Sequence, residues 1–173
     1  ASRYSADVGL HVKGDASPVV TQCDFSHNGY DALAVQINSY PVLSDLLAHD
    51  NDRWNGIMVE GGDITASGTW RAAGIPYVIN DGGASSGNRE IVSGVTLTIM
   101  PGTVIKMEDN GTISFYVSGA LISEGSADKP IIFTSVADDA YGGDTNADGN
   151  AAAAPADWES VDFAPESTES IVT

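Results

Sequence analysis

The stretch VGLHVKGDASPVVTQCDFSHNGYD, residues 8–31, is answered by LAVQINSYPVLSDLLAHDNDRWN, residues 33–55. Leu10 matches Leu33, Val12 matches Val35, and Pro18 matches Pro41. Val19 and Val20 match Val42 and Leu43, Cys23 matches Leu46, and Asn28 matches Asn51; every offset is 23 residues. A third copy begins at GIMVEGG, where Ile57 and Val59 follow Leu33 and Val35 by 24 residues. A fixed period of this length marks a repeat architecture. Within each unit, short alternations such as LHV, LAV and PVVTQCDF are separated by Gly, Asn, Asp and Ser. Alternation puts every second side chain on one face of a strand. Three short strands with tight corners make one coil of a parallel β-solenoid. The spaced leucines and helical segment of a leucine-rich repeat are missing. ALAVQINSYPVLSDLLAHD has a helical look, but Pro41 and the repeat argue against a helix. Asn28 and Asn51 are expected at equivalent corners, taking left-handed backbone angles and hydrogen-bonding along the stack.

Working outward, residues 1–60 form a block of 23-residue coils that reads as the end of a β-helix. Residues 61–90 keep no sustained period and carry Gly- and Ser-rich clusters, so they are expected to be a connector or cap. Trp70, Ile75, Pro76, Tyr77, Val78 and Ile79 would supply its apolar plug or capping strand. Residues 91–173 start a second block, with an acidic loop at 138–157. There Thr96 to Ile99 and Thr103 to Lys106 read as strands around a Pro101-Gly102 turn. Gly119 follows Gly102, and Leu121 follows Val104, by 17 residues, which suggests a shorter repeat. Ile131 to Thr134 and the stretch from Trp158 to Phe163 complete the strands. Val104, Ile105, Leu121, Ile131 and Phe133 are the expected core of this block.

Composition narrows the function classes. Seven Lys and Arg stand against 24 Asp and Glu in 173 residues, a formal charge of −17. Such a surface repels nucleic-acid phosphates and anionic headgroups and attracts cations. No apolar run approaches a membrane span, so neither nucleic-acid binding nor membrane insertion is expected. The single cysteine, Cys23, allows no intrachain disulfide and reads as a small buried apolar residue. The opening ASRYSADVGLHV is already in strand-like alternation and suggests an internal piece of a longer precursor.

The second block carries a resemblance. GVTLTIMPGTVIKM, GALISEGSADKPIIFTS, DDAYGGDTNADGN and the closing DW resemble, in that order, the opening coils of right-handed parallel β-helix domains of the pectate-lyase-like superfold. Such domains occur in large secreted or cell-surface bacterial proteins. The likeness covers about residues 91–163. It departs at Glu159, where the pattern has a small residue after the Trp. The resemblance implies a β-helix, export, and a place in a longer modular chain, but no particular activity. An open solenoid end also implies a homo-oligomer formed end to end or by strand exchange.

The acidic loop holds the chemistry. Counting Asp144 as position 1 of a calcium loop puts Asn146 at 3, Asp148 at 5, Gly149 at the turn position and Asn150 at 7. Calcium takes 6 to 8 hard oxygen ligands, and a glycine lets the loop turn them inward. Position 12 is Pro155, so the closing bidentate glutamate is missing. Asp157, Glu159, Asp138 or Asp139 would have to complete the shell. The expected metal set is therefore Asp144, Asn146, Asp148, Asn150 and Asp157, holding a structural Ca2+ that neutralises clustered carboxylates. A solvated loop that binds nothing is the alternative.

Other groups are weaker pointers. A β-helix polysaccharide lyase would need calcium-binding acids beside an Arg or Lys base, and Arg53 and Arg71 are the nearby candidates. Asp24, Asp31 and Asp45 fall on strand ends or corners. His11, His27 and His49 read as surface or corner residues. A zinc site would need a third ligand, and although Asp50 could stack on His27, nothing in the sequence fixes it. Trp54, Trp70, Trp158, Tyr30, Tyr40, Tyr77 and Tyr116 could line a sugar-binding face or belong to the core.

The expectation is thus an all-β, right-handed parallel β-helix with two short blocks and a connector. It would act as a non-catalytic structural or adhesive module, calcium-stabilised, at the cell surface or outside the cell, with a polysaccharide or another surface protein as partner. The alternative is a polysaccharide-processing module, either a lyase-like or hydrolytic enzyme or an accessory carbohydrate-binding domain. No catalytic residue is assigned.

Overall fold

A computed structural model of the chain describes residues 1–80, 89–108, 113–167 and 169–173. The DGGASSGN part of the expected connector lies outside them. The first two coils contribute β1 (Ser2–Arg3), β2 (Leu10–Val12), β3 (Val19–Thr21), β4 (Asp24–Ser26), β5 (Leu33–Gln36) and β6 (Val42–Ser44). Then follow β7 (Leu47–His49), β8 (Ile57–Glu60), β9 (Gly68–Trp70), β10 (Tyr77–Ile79), β11 (Arg89–Ile91) and β12 (Thr96–Ile99). The last coils carry β13 (Val104–Met107), β14 (Ser114–Val117), β15 (Ala120–Ser123), β16 (Ile132–Ser135), β17 (Ser160–Phe163) and β18 (Ile171–Val172). The described strands all pair in parallel and there is no helix among the described residues, so the chain is a parallel β-solenoid of about five turns.

One six-stranded sheet, β2-β5-β8-β10-β13-β16, runs the length of the stack. The sheets beside it change partway. β1-β4-β7 and β3-β6 flank the N-terminal coils, whereas β9-β12-β15-β18 and β11-β14-β17 flank the later ones. The change falls between β7 and β9. β10, from the segment without a sequence period, sits mid-sheet between β8 and β13.

Register explains the 23-residue echo. Leu10, Leu33, Ile57, Tyr77, Ile105 and Phe133 form one inward row; Val12, Val35, Val59, Ile79 and Met107 form the next. Full burial of an apolar side chain such as Leu33, Ile57 or Ile105 stabilises the coil by about 1.5–3 kcal/mol. Trp70 stacks on Tyr77 with ring centroids 5.1 Å apart, and Phe115 packs between Trp70 and Phe133. Gly119 is required by close packing: a Cβ there would sit 2.3 Å from the Val95 carbonyl oxygen.

Three expectations need correction. The 17-residue offset is not a coil repeat: Val104 lies on β13 and Leu121 on β15, in different sheets. Leu121 stacks on Leu97 and Ile105 on Phe133, because a Gly-turn-strand pattern recurs on two faces of each coil. Val104, alternating with the inward Ile105, is only half-buried and lies outside the core cluster. Finally, Asn28 and Asn51 do hydrogen-bond along the stack, but the left-handed angle falls one residue earlier. Tyr4, His27 and Asp50, spaced by the repeat, have φ of 60°, 57° and 54°. The preceding residue turns the corner, which leaves the asparagine free to aim its side chain at the next coil.

Candidate metal centre

The outward row of the long sheet is His11, Ala34, Met58, Val78, Lys106 and Thr134. On an open sheet these positions would face water. Here Ala34, Met58 and Val78 form a second buried cluster with Trp54 and Val136. Part of the cover is the acidic loop, which leaves β16 and doubles back across the coils as a strap.

Three contacts trace its path. Lys106 on β13 donates from Nζ to the Gly143 carbonyl at 2.7 Å. Gly142 lies against the Pro76 ring just before β10; a Cβ there would sit 2.8 Å from Pro76 Cγ. Before β8, the Asn55 amide donates to the Thr145 carbonyl at 2.7 Å. Thr145 is fully buried at that point.

The strap also ends a ladder of asparagines. Asn51 Oδ1 accepts from Asn28 N and Nδ2 at 3.1 and 2.8 Å. Asn55 Oδ1 accepts from Asn51 N and Nδ2 at 3.1 and 2.9 Å. Asn55 Nδ2 in turn donates to the Asp144 carbonyl at 3.3 Å. Hydrogen bonds thus run from the first coils into the loop.

On the strap, one carboxylate oxygen each from Asp139, Asp144 and Asp148 lie within 4.8 Å of one another. The turn that gathers them uses left-handed angles at Ala147, φ 58°, and Gly149, φ 99°. Gly149 N donates to Asp144 Oδ2 at 3.2 Å, and Ala151 N to Asp139 Oδ2 at 2.9 Å. The Asn146 amide donates to Asp148 Oδ2 at 2.7 Å, while its Oδ1 and Asp139 Oδ1 are buried without a hydrogen-bond partner. Oxygens of this kind fit a hard cation such as Ca2+.

Of the expected ligands, Asp144 and Asp148 converge and Asn146 lies beside them. Asn150 is exposed. Asp157 accepts from Ala154 N at 2.9 Å, closing its own turn outside the converging carboxylates. Among the outside acids considered, Asp139 joins the group. Asp138 is bonded by Thr134 Oγ1 at 2.6 Å, and Glu159 by Ser114 Oγ at 2.6 Å.

Sequence reading missed Lys106, which it took for an ordinary strand residue. The side chain is fully buried beneath the strap. Desolvation lowers its pKa, while Asp139, Asp138, Asp144 and Asp148 pull the other way. Its ammonium is a tethered counter-charge to the same carboxylates a metal would bind. The available signal was a lysine on the outward row of a strand in a chain with few basic residues.

The other candidates are differently placed. Arg53 donates from Nη1 to Tyr30 Oη at 2.7 Å and lies over the Tyr30 and Trp54 rings, 4.8 and 5.3 Å from their centroids. Trp54, Trp70 and Tyr77 are buried. His49 Nδ1 contacts Asp50 Oδ2 at 2.7 Å, and His27 Nε2 lies 3.9 Å from the same oxygen. Asp50 does share the corner position of His27, whose amide donates to its carbonyl at 3.0 Å. No protein-family model, curated protein or solved structure matches this chain.

Proposed function

We propose that the chain is a non-catalytic structural or adhesive β-helix module of an exported bacterial protein, with calcium ordering its acidic strap. The observation that carries this reading is the convergence of Asp139, Asp144 and Asp148 on a segment that crosses the outer faces of several coils. An ion there would neutralise carboxylates that otherwise repel. By ordering the strap, it would fasten coils that touch only their neighbours. The reading belongs with the pectate-lyase-like likeness of residues 91–163 and with the strongly acidic surface. Its setting would be the cell surface or outside the cell, with a polysaccharide or another surface protein as partner.

A second reading, a polysaccharide-processing or carbohydrate-binding module, has one observation in its favour. An open groove of about 460 Å³ is lined by Asp15, Gln36, Asn38, Glu60 and Asp63. Carboxylates and carboxamides suit sugar hydroxyls. The experiment is an assay on polygalacturonate, alginate and neutral glucans, following unsaturated products and new reducing ends. The structural reading expects no turnover. Turnover that disappears on Arg53→Ala or Glu60→Gln would overturn it in favour of the second.

A further inference from the structure

Asp31 occupies the corner that leads into β5. Its carbonyl accepts from Gly9 N at 3.0 Å, and the next residue, Ala32, donates to the Trp54 carbonyl at 2.9 Å. The backbone is thereby stitched to the coil on either side, which holds the carboxyl inside the stack. The residue is 1% exposed, and neither carboxylate oxygen has a hydrogen-bond partner. Trp54 Nε1 is buried without an acceptor as well. A carboxylate in such a position lacks both water and donors, and its charged form is penalised.

The surrounding charges do not relieve it. Arg53 favours the ionised form, but its guanidinium is engaged by Tyr30 and the Trp54 ring and makes no ion pair with Asp31 among those described. Glu60 and Asp7 oppose ionisation. Glu60 is itself held by His11, Nε2 to Oε2 at 2.6 Å. The Trp54 amide lies near enough to favour the anion, though outside hydrogen-bonding geometry.

We propose that Asp31 is an acid-sensitive lock on the N-terminal coils: protonated it lets them close, and ionised it loosens them. Desolvation first, then Glu60 and Asp7, push its pKa from 3.8 up to about 6 against the pull of Arg53 and the Trp54 amide. The folded state therefore holds the proton more tightly than the unfolded chain. Its stabilising effect is complete below about pH 4, is lost as pH rises through about 6, and is absent above that. Over two pH units the folded-to-unfolded ratio changes about a hundredfold.

The test compares the protein with Asp31→Asn, which mimics the neutral carboxyl, by urea unfolding at pH 4 and pH 7.5. Both proteins share the general effect of discharging an acidic surface, so their difference isolates Asp31. The expected result is similar stability at pH 4 and an Asn variant that is markedly more stable at pH 7.5, approaching that hundredfold. An Asn variant that tracks the parent, or falls below it by the same factor at both pH values, would overturn the lock. Should the variant not fold, carboxyl ¹³C NMR of the parent gives the same answer. A midpoint near 6 supports the lock, and one in the ordinary carboxylate range refutes it.

Discussion

Asn51 Oδ1 takes two hydrogen bonds from Asn28, the residue one coil earlier, at 3.1 Å from its backbone N and 2.8 Å from Nδ2. Asn51 Nδ2 also donates to the Phe25 carbonyl at 3.0 Å. Each coil thus satisfies the buried corner of the one before it. Replacing Asn51 with Ala would orphan the buried Asn28 backbone N–H, leave Asn28 Nδ2 only the Ser2 carbonyl at 3.4 Å, and remove the side-chain donor from the Phe25 carbonyl, at about 1–3 kcal/mol for each group left unsatisfied. We expect Asn51→Ala to lower stability by about 3 kcal/mol in urea unfolding. A loss under about 1 kcal/mol would mean that water replaces the ladder.

Phe115 is fully buried between Trp70 and Phe133. Truncation to Ala leaves a cavity that the stacked backbone cannot collapse around. The expected cost is about 3–5 kcal/mol. Hydrogen exchange should show the loss concentrated in β14 and its ladder partners β11 and β17 rather than in the N-terminal coils, because solenoid coupling is between neighbours.

Lys106 presents a local case. Lys106→Met keeps the bulk and removes both the Gly143 hydrogen bond and the tethered charge. A hydrogen bond to a charged group contributes about 1.5–3 kcal/mol. The variant should be cleaved by protease within 138–157 in EDTA faster than the parent, and added calcium should restore protection. Equal cleavage rates in EDTA would show that Asn55 and Thr145 hold the strap without the lysine.

Much of this architecture was legible and some of it was not, for physical reasons. Leu33 above Leu10 and Asn51 above Asn28 could be read directly because those coils have equal length. In the second block, loops of unequal length hide the stacking. Phe133 follows Ile105 by 28 residues, and Val161 follows Phe115 by 46 because the strap lies between them. Equal spacing on two different faces then gave the misleading 17-residue echo. At the loop, the local 1-3-5 spacing singles out Asp144 and Asp148, whose carboxylates the fold brings within 4.8 Å of Asp139. Asp139 comes from the start of the strap, and Lys106 lies 37 residues before Gly143, the strap residue whose carbonyl it bonds. No periodicity announces a loop that folds back over a sheet.

The measurement that bears most directly on the central claim is thermal unfolding in EDTA and then through a calcium titration, run beside an Asp144→Ala, Asp148→Ala double variant. A ligand bound only by the folded state raises stability in proportion to the logarithm of its concentration, by about 2.7 kcal/mol at a hundred times its Kd. The account predicts a Tm that climbs with calcium in the parent and stays flat in the variant. A parent whose Tm ignores calcium would contradict it, leaving the strap fastened by Lys106, Asn55 and Thr145 alone.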